Sequence, residues 1–183
     1  MKFTVRFNTK VENGLILWIG DQDSRGDHRS DFLLLGLSGG ELHFRFNLGG
    51  GEVDISYNET SLSDGEWHEV TVRRTGKRGE LIVDGMTPIV RTVPGKLTQL
   101  NTNTGLYVGE FKTLSNTKII IIIIHETSSI LFLVGGIDNL KEDIINKYTS
   151  GLVGCISRLV LDTDYDVKLM AMSTAGRNVQ HCN

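Results

Sequence analysis

The sequence has little of what would define several protein classes. Only two of its 183 residues are proline and two are cysteine, and 19 Lys and Arg are outnumbered by 22 Asp and Glu, giving a net charge of −3. This charge excludes a globally basic nucleic-acid-binding protein, although it allows a local basic patch. The apolar run at residues 119–124 resumes only at 130–134, so it falls short of the roughly 20 residues that cross a membrane. We therefore expect neither nucleic-acid binding nor membrane insertion.

An amphipathic pattern of helical period is also lacking, and alternation of polar and apolar residues takes its place. The chain has 21 glycines, which suit tight turns between strands. Asp84-Gly85 is a strong signal for a hairpin turn. Strands are predicted at residues 3–7, 14–20, 31–37, 41–47, 53–56, 67–74, 80–85, 106–109 and 152–161. Short strands at this spacing predict an all-β fold, a sandwich of two antiparallel sheets.

The stretch at 111–132 breaks this pattern. It contains a polar piece and a run of six isoleucines, and the residues that follow it, 133–136, echo the sequence at 107–110. One interpretation is an atypical insertion, or an artefact of the gene model. The other is one extra strand at the edge of a sheet, and an exposed uncharged run of such high β-propensity would favour aggregation.

Five motifs in order resemble a laminin G-like domain, as found in laminin α chains, agrin, perlecan and neurexins, and most of all those of agrin and perlecan. They lie at residues 13–18 (NGLILW), 31–37 (DFLLLGL), 44–49 (FRFNLG), 64–70 (DGEWHEV) and 151–156 (GLVGCI). The resemblance implies one domain over residues 1–183, interrupted at 111–132, with a concanavalin-like jelly-roll sandwich. It also implies an extracellular protein. The N-terminus alternates like a strand and has no apolar leader, so we expect a fragment that lacks its signal peptide.

The resemblance implies a calcium site at one rim of the sandwich. Its ligands would be the side chains of Asp31 and Asn101 and the main-chain carbonyls of Leu48 and Gln99. Calcium takes six to eight oxygen ligands, and a site with one carboxylate is expected to bind weakly, with a Kd of roughly 10⁻⁴–10⁻³ M. Open coordination positions would let an acidic partner bind the ion. In the alternative interpretation, Asp31 caps a loop and Asn101 belongs to an ordinary turn.

The resemblance also implies a disulfide between Cys155 and Cys182. Without the resemblance, the two cysteines would fit unpaired thiols of an intracellular protein equally well. Asn58 begins the N-glycosylation sequon at 58–60. The sequon is a weak signal by itself, but together with a disulfide it indicates an extracellular setting.

Four cations surround one predicted turn: Arg73, Arg74, Lys77 and Arg78. Clustered cations bind sulfated or uronate-rich glycans through charge-assisted hydrogen bonds. In the resembling family such polyanions are heparan sulfate and the acidic glycan of dystroglycan. The alternative interpretation is a solvated hairpin turn.

The tripeptide Arg25-Gly26-Asp27 is one that integrins recognise, and it falls in a polar segment before the predicted rim. In the alternative interpretation, negative charge from Asp21, Asp23 and Asp27 crowds near the calcium rim and aids binding. Enzyme signatures are missing from the sequence, with no tight carboxylate pair, nucleophile elbow or metal-protease motif. We therefore predict a non-enzymatic module that binds acidic glycans, cell-surface receptors or matrix proteins. The alternatives are a carrier of steroid-like apolar ligands between the sheets and a purely structural spacer.

Overall fold

The computed structural model describes residues 1–20, 31–102, 106–108, 120–124, 130–131, 148, 151–162 and 165–167. All regular structure among these residues is β-strand, and none of them forms a helix that could cross a membrane. The strands are β1 (Lys2–Thr9), β2 (Gly14–Gly20), β3 (Phe32–Ser38), β4 (Glu41–Asn47), β5 (Glu52–Tyr57), β6 (Trp67–Thr75), β7 (Arg78–Val83), β8 (Ile89–Thr92), β9 (Leu106–Val108), β10 (Ile120–Ile124), β11 (Ile130–Leu131), β12 (Gly154–Leu161) and β13 (Tyr165–Asp166).

The strands form two antiparallel sheets. The six-stranded sheet has the order β13-β12-β1-β6-β7-β8, and the seven-stranded sheet has the order β11-β10-β9-β2-β3-β4-β5. One apolar core joins them, because Val5 and Phe7 of the first sheet belong to the same buried cluster as Phe44 and Phe46 of the second. The predicted all-β sandwich of two antiparallel sheets is confirmed.

The burial pattern explains why alternation identified the strands. On β1, Val5 and Phe7 are fully buried whereas Arg6 between them is exposed. This pattern is typical of a sheet with one face on the core and one in solvent. On β3, every residue from Phe32 to Leu37 is buried, which matches its continuous apolar sequence.

The described part of the 111–132 stretch extends the seven-stranded sheet. β10 pairs with β9, with Ile120 opposite Val108 and Ile122 opposite Leu106, and β11 pairs with β10 in turn. β11 is the edge strand of this sheet, and β10 lies between β11 and β9. The rest of the stretch lies outside the described residues, so its interpretation as an atypical insertion stays a prediction.

Candidate functional site

Three loop segments meet at one end of the sandwich, the end of the seven-stranded sheet at which β4 finishes. The β4–β5 turn touches the segment that follows β8 so closely that a Cβ added to Gly95 would lie 3.0 Å from Cα of Gly50. From the β6–β7 turn, Nζ of Lys77 donates a hydrogen bond to the carbonyl of Gly95 at 2.5 Å. We call this end the rim; it comprises residue 31, residues 48–51 and residues 94–101.

The rim brings together Asp31, Leu48 and Asn101. Phe32 lies opposite Asn47 across β3 and β4, so Asp31 and Leu48 continue those two strands by one residue at the same edge. The main-chain amide of Asn101 donates to Oδ2 of Asp31 at 2.6 Å, across 70 positions of sequence. The Asp31 side chain therefore caps the loop, as one interpretation expects, and the same contact holds its carboxylate beside Asn101.

The chemistry of these residues fits a calcium ion. Asp31 is largely buried, at 9% exposure, whereas Gln99 and Asn101 are exposed at the surface of the rim. A carboxylate, an amide side chain and main-chain carbonyls are all hard oxygen donors of the kind that calcium prefers. Three or more grouped His, Cys, Asp or Glu side chains, which a transition-metal site would need, do not occur among the described residues.

Arg74 of β6 contacts the rim. Its guanidinium donates from one Nη to the carbonyls of Gly76 at 2.7 Å and Thr98 at 3.1 Å. Burial lowers the pKa of Arg74 below its ordinary value, and attraction to Asp31 opposes that shift. A positive charge thus stands near the carboxylate that the predicted calcium site would use.

The structure divides the predicted basic patch into two parts. Arg74 and Lys77 turn towards the rim and bind main-chain carbonyls there. Arg73 and Arg78 face outward, and both contact the carboxylate of Glu80, with 3.9 Å between Arg73 and Glu80. Only the second part presents its guanidinium groups on the outer surface of the six-stranded sheet.

Several predicted positions lie elsewhere. Asn58 is exposed directly after β5, so its side chain is accessible for glycosylation. Cys155 lies on β12 and is disulfide-bonded. Cys182 and the tripeptide Arg25-Gly26-Asp27 fall outside the described residues.

A cluster of charged residues on β4 and β5 was not recognised from the sequence. Nε of Arg45 donates to Glu52 at 2.5 Å, and Nδ1 of His43 is 3.0 Å from Asp54. Burial lowers the pKa of Arg45, but the hydrogen bond and attraction to Glu52 outweigh it and raise the pKa overall. Arg45 and Glu52 thus form an ion pair within the fold. The ring of Tyr148 packs against Gly36 of the same sheet. Burial raises the pKa of the Tyr148 hydroxyl above its ordinary value.

A cavity of about 360 Å³ lies beside β5, β7 and β8, and its lining residues are Tyr57, Glu59, Leu81, Val83, Met86, Thr87 and Ile89. Its walls mix apolar side chains with exposed polar ones. Within the described part of the chain, it differs from the closed apolar cavity that a steroid-like carrier would need.

Comparisons with known proteins agree with this architecture. The model of the laminin G domain matches residues 7–164. Rat pikachurin is 36% identical over 178 residues, which are 97% of this chain and 15% of pikachurin. The mouse basement membrane-specific heparan sulfate proteoglycan core protein is 30% identical over 189 residues, covering 100% of this chain and 4% of that protein.

The structure of domains LG4-5 of the mouse laminin α1 chain superposes with a TM-score of 0.70 at 23% identity, over 99% of this chain and 40% of that one. This likeness supports the fold. The chain spans less than a sixth of the length of pikachurin and of the proteoglycan core protein. The resemblance inferred from five sequence motifs is confirmed, and the chain belongs to the laminin G domain family.

Proposed function

We propose that this domain is a non-enzymatic extracellular binding module that holds a weakly bound calcium ion at the rim and uses it to capture acidic partners. Extracellular placement is supported by relatives whose names place them in basement membranes. The exposed sequon at Asn58 and the disulfide-bonded Cys155 suit the same compartment. The proposed pairing of Cys155 with Cys182 would tie the end of the chain to β12.

The observation that carries this proposal is the contact of 2.6 Å between the Asp31 carboxylate and the amide of Asn101, beside Leu48. In the proposed site Asp31 and Asn101 supply side-chain oxygens, and Leu48 and Gln99 supply carbonyl oxygens. When bound, calcium supplies positive charge and open coordination positions for oxygens of a partner. The chain's residues fix the donor groups and leave one side of the rim in solvent.

The proposed partners carry several anionic groups. Sulfated glycans such as heparan sulfate, the acidic glycan of dystroglycan, and acidic surfaces of receptors or matrix proteins all offer oxygens for an incompletely coordinated cation. Arg74 stands close enough to attract the same anionic groups. Recognition would then combine the calcium ion with one fixed cation.

Calorimetric titration with calcium chloride tests the site, using wild type, Asp31→Asn and Glu12→Gln. Asp31→Asn keeps the shape of the side chain and an acceptor for Asn101 but removes the negative charge. Glu12→Gln is the control and removes an exposed carboxylate far from the rim. The main chain of Glu12 is hydrogen-bonded to Gly40 in the β3–β4 turn, at the end of these strands opposite the rim. We expect a Kd of roughly 10⁻⁴–10⁻³ M for wild type and Glu12→Gln and no measurable binding for Asp31→Asn. Equal heats for wild type and Asp31→Asn would refute the site.

A further inference from the structure

The cavity beside β5, β7 and β8 lies where the edges of the two sheets approach each other, since β5 ends the seven-stranded sheet and β8 ends the six-stranded one. Its volume of about 360 Å³ falls within the range of small-molecule sites. Tyr57, which lines the cavity, ends β5, whereas Glu52 begins β5 and pairs with Asn47 next to the rim. The cavity is therefore at the end of the sandwich away from the rim.

The floor of the cavity is apolar. Leu81 and Val83 of β7 are 0% and 2% exposed and belong to the core. Ile89 of β8 lies opposite Leu81, is half-buried and packs against the same core. Met86, between the two strands, has an exposed thioether, a group that adapts its shape and contacts aromatic rings favourably. An aliphatic or aromatic group can therefore leave water in this cavity.

The charge at the cavity is negative. Glu59 is the charged residue among the described lining residues, and it is exposed. Its carboxylate forms no ion pair with any residue that the structure describes. Arg91, the cation of β8, is not among the described lining residues, and its guanidinium donates to the carbonyl of Val90 at 2.9 Å. Charge complementarity thus favours a ligand that carries a positive group.

Hydrogen bonds hold the walls in place. The hydroxyl of Tyr57 lies 3.0 Å from Oγ1 of Thr60 and donates to Sδ of Met86 at 3.7 Å. These contacts join the end of β5 to the turn that follows β7. Walls that are ordered before a ligand arrives reduce the entropic cost of binding.

An added strand from another protein suits this edge poorly. β8 pairs only with β7, so its outer main chain is a possible template for strand addition. However, Pro88 directly precedes β8 and Arg91 is exposed within it, and proline and charged residues are typical of edges that resist such pairing. The suitable occupant is therefore a group that enters the cavity rather than a strand that lies along β8.

We propose that the cavity binds an aliphatic or aromatic group that carries an ammonium. The apolar part lies on Leu81, Val83 and Ile89, and the ammonium lies beside Glu59. A free organic amine and a lysine next to an aromatic residue of a partner protein share this chemistry. The site goes beyond the proposed capture of acidic partners, because it selects the opposite charge and needs no calcium.

The test is titration with phenylpropylamine, phenylpropanol and phenylpropionate, followed by NMR of methyl-labelled methionine. Met86→Leu identifies the methyl signal of Met86. We expect the amine to shift this signal with a Kd about threefold lower than that of the alcohol, because an exposed ion pair contributes modestly to affinity. The carboxylate should bind more weakly than the alcohol. No shift up to roughly 10 mM amine, or equal affinity for the three compounds, would overturn the assignment.

Two variants test the role of charge. Glu59→Gln is expected to bind the amine about threefold more weakly and the alcohol as wild type does. Glu69→Gln is the matched control, because it removes an exposed carboxylate from the outer face of the six-stranded sheet, and it should leave the amine Kd unchanged. Thr87→Arg adds a cation at an exposed position of the wall and should reverse the preference towards phenylpropionate. An unaltered preference in Glu59→Gln and Thr87→Arg would contradict the proposal.

A capped dipeptide of phenylalanine and lysine distinguishes the two sources of the ligand. Tighter binding of the dipeptide than of phenylpropylamine would assign a protein partner to the cavity, and the reverse would assign a free amine. Failure of both to bind would overturn the proposal. Asp31→Asn is expected to abolish the calcium heats and to leave amine binding unchanged, so the cavity and the rim can fail separately.

Discussion

At the scale of single residues, Arg74 shows how two neighbours in sequence acquire different roles. Arg73 points outward on β6, whereas Arg74 points to the rim and binds the carbonyls of Gly76 and Thr98. Its charge attracts Asp31, the carboxylate of the proposed calcium site. Arg74 therefore competes with any cation at the rim and attracts any anion there.

We predict that Arg74→Gln tightens calcium binding by about 3- to 10-fold, because a like charge near the ion is removed. Calorimetric titration measures the effect, and Arg73→Gln is the matched control: it removes the same charge from the adjacent residue but on the outer surface. Arg73→Gln is expected to leave the calcium Kd within twofold of wild type. Weaker calcium binding by Arg74→Gln would contradict this prediction. It would mean that the hydrogen bond from Arg74 to Thr98 favours calcium binding, by ordering residues 94–101, more than the charge of Arg74 opposes it.

At the scale of secondary-structure elements, His68 connects the start of β6 to two neighbouring segments. One is the segment before β6, which contains Asp64, and the other is the turn after β7, which contains Asp84. Its Nδ1 is 2.8 Å from Asp84 and its Nε2 is 3.1 Å from Asp64. Burial lowers the pKa of His68, but the hydrogen bonds to Asp84 and Asp64 outweigh burial and raise the pKa overall. Both ring nitrogens then donate to carboxylates in the protonated form.

The raised pKa predicts the pH dependence of stability. Since the folded protein binds the His68 proton more tightly than the unfolded chain, this contribution is complete below the unfolded pKa of about 6.5. It is lost as pH rises through the folded pKa. Urea unfolding is measured in buffers from about pH 5.5 to about pH 8.5. The free energy of unfolding of wild type should fall as the pH rises, and that of His68→Gln should fall less. Equal slopes in the two proteins would contradict this role.

The elements differ in how far the sequence could predict them. β2 and β4 have the predicted bounds, and Asp84 and Gly85 both adopt positive φ in the predicted turn. β8 and β13 were not predicted, because strands of four and two residues are too short to show alternation.

The candidate sites show the same division between local and distant pairing. The approach of Asp31 to Leu48 follows from a hairpin that is local in sequence, since β3 and β4 are consecutive. The neighbourhood of Arg6 and Arg158 could not be predicted in this way, because the two residues meet only through the pairing of β1 with β12. Alternation gives the face on which a residue lies but not its neighbour on the next strand.

At the scale of the whole molecule, β1 joins the two ends of the domain. It lies between β12, from the C-terminal part of the chain, and β6, and Lys2 donates its amide to Asp162 at 2.9 Å. Cys155 sits on β12 opposite Asn8 of β1. A disulfide at this position limits the freedom of the C-terminal segment in the unfolded chain and holds the strand that carries Arg158.

We predict that loss of the disulfide lowers the free energy of unfolding by about 3–4 kcal/mol, the value for closing a loop of this length in the chain-entropy model. Urea unfolding of wild type with and without reductant measures it, and the double variant Cys155→Ser with Cys182→Ser is the control that reductant should not affect. Unchanged stability on reduction, or a peptide map joining Cys155 to another molecule, would show that the proposed Cys155–Cys182 disulfide does not stabilise the domain.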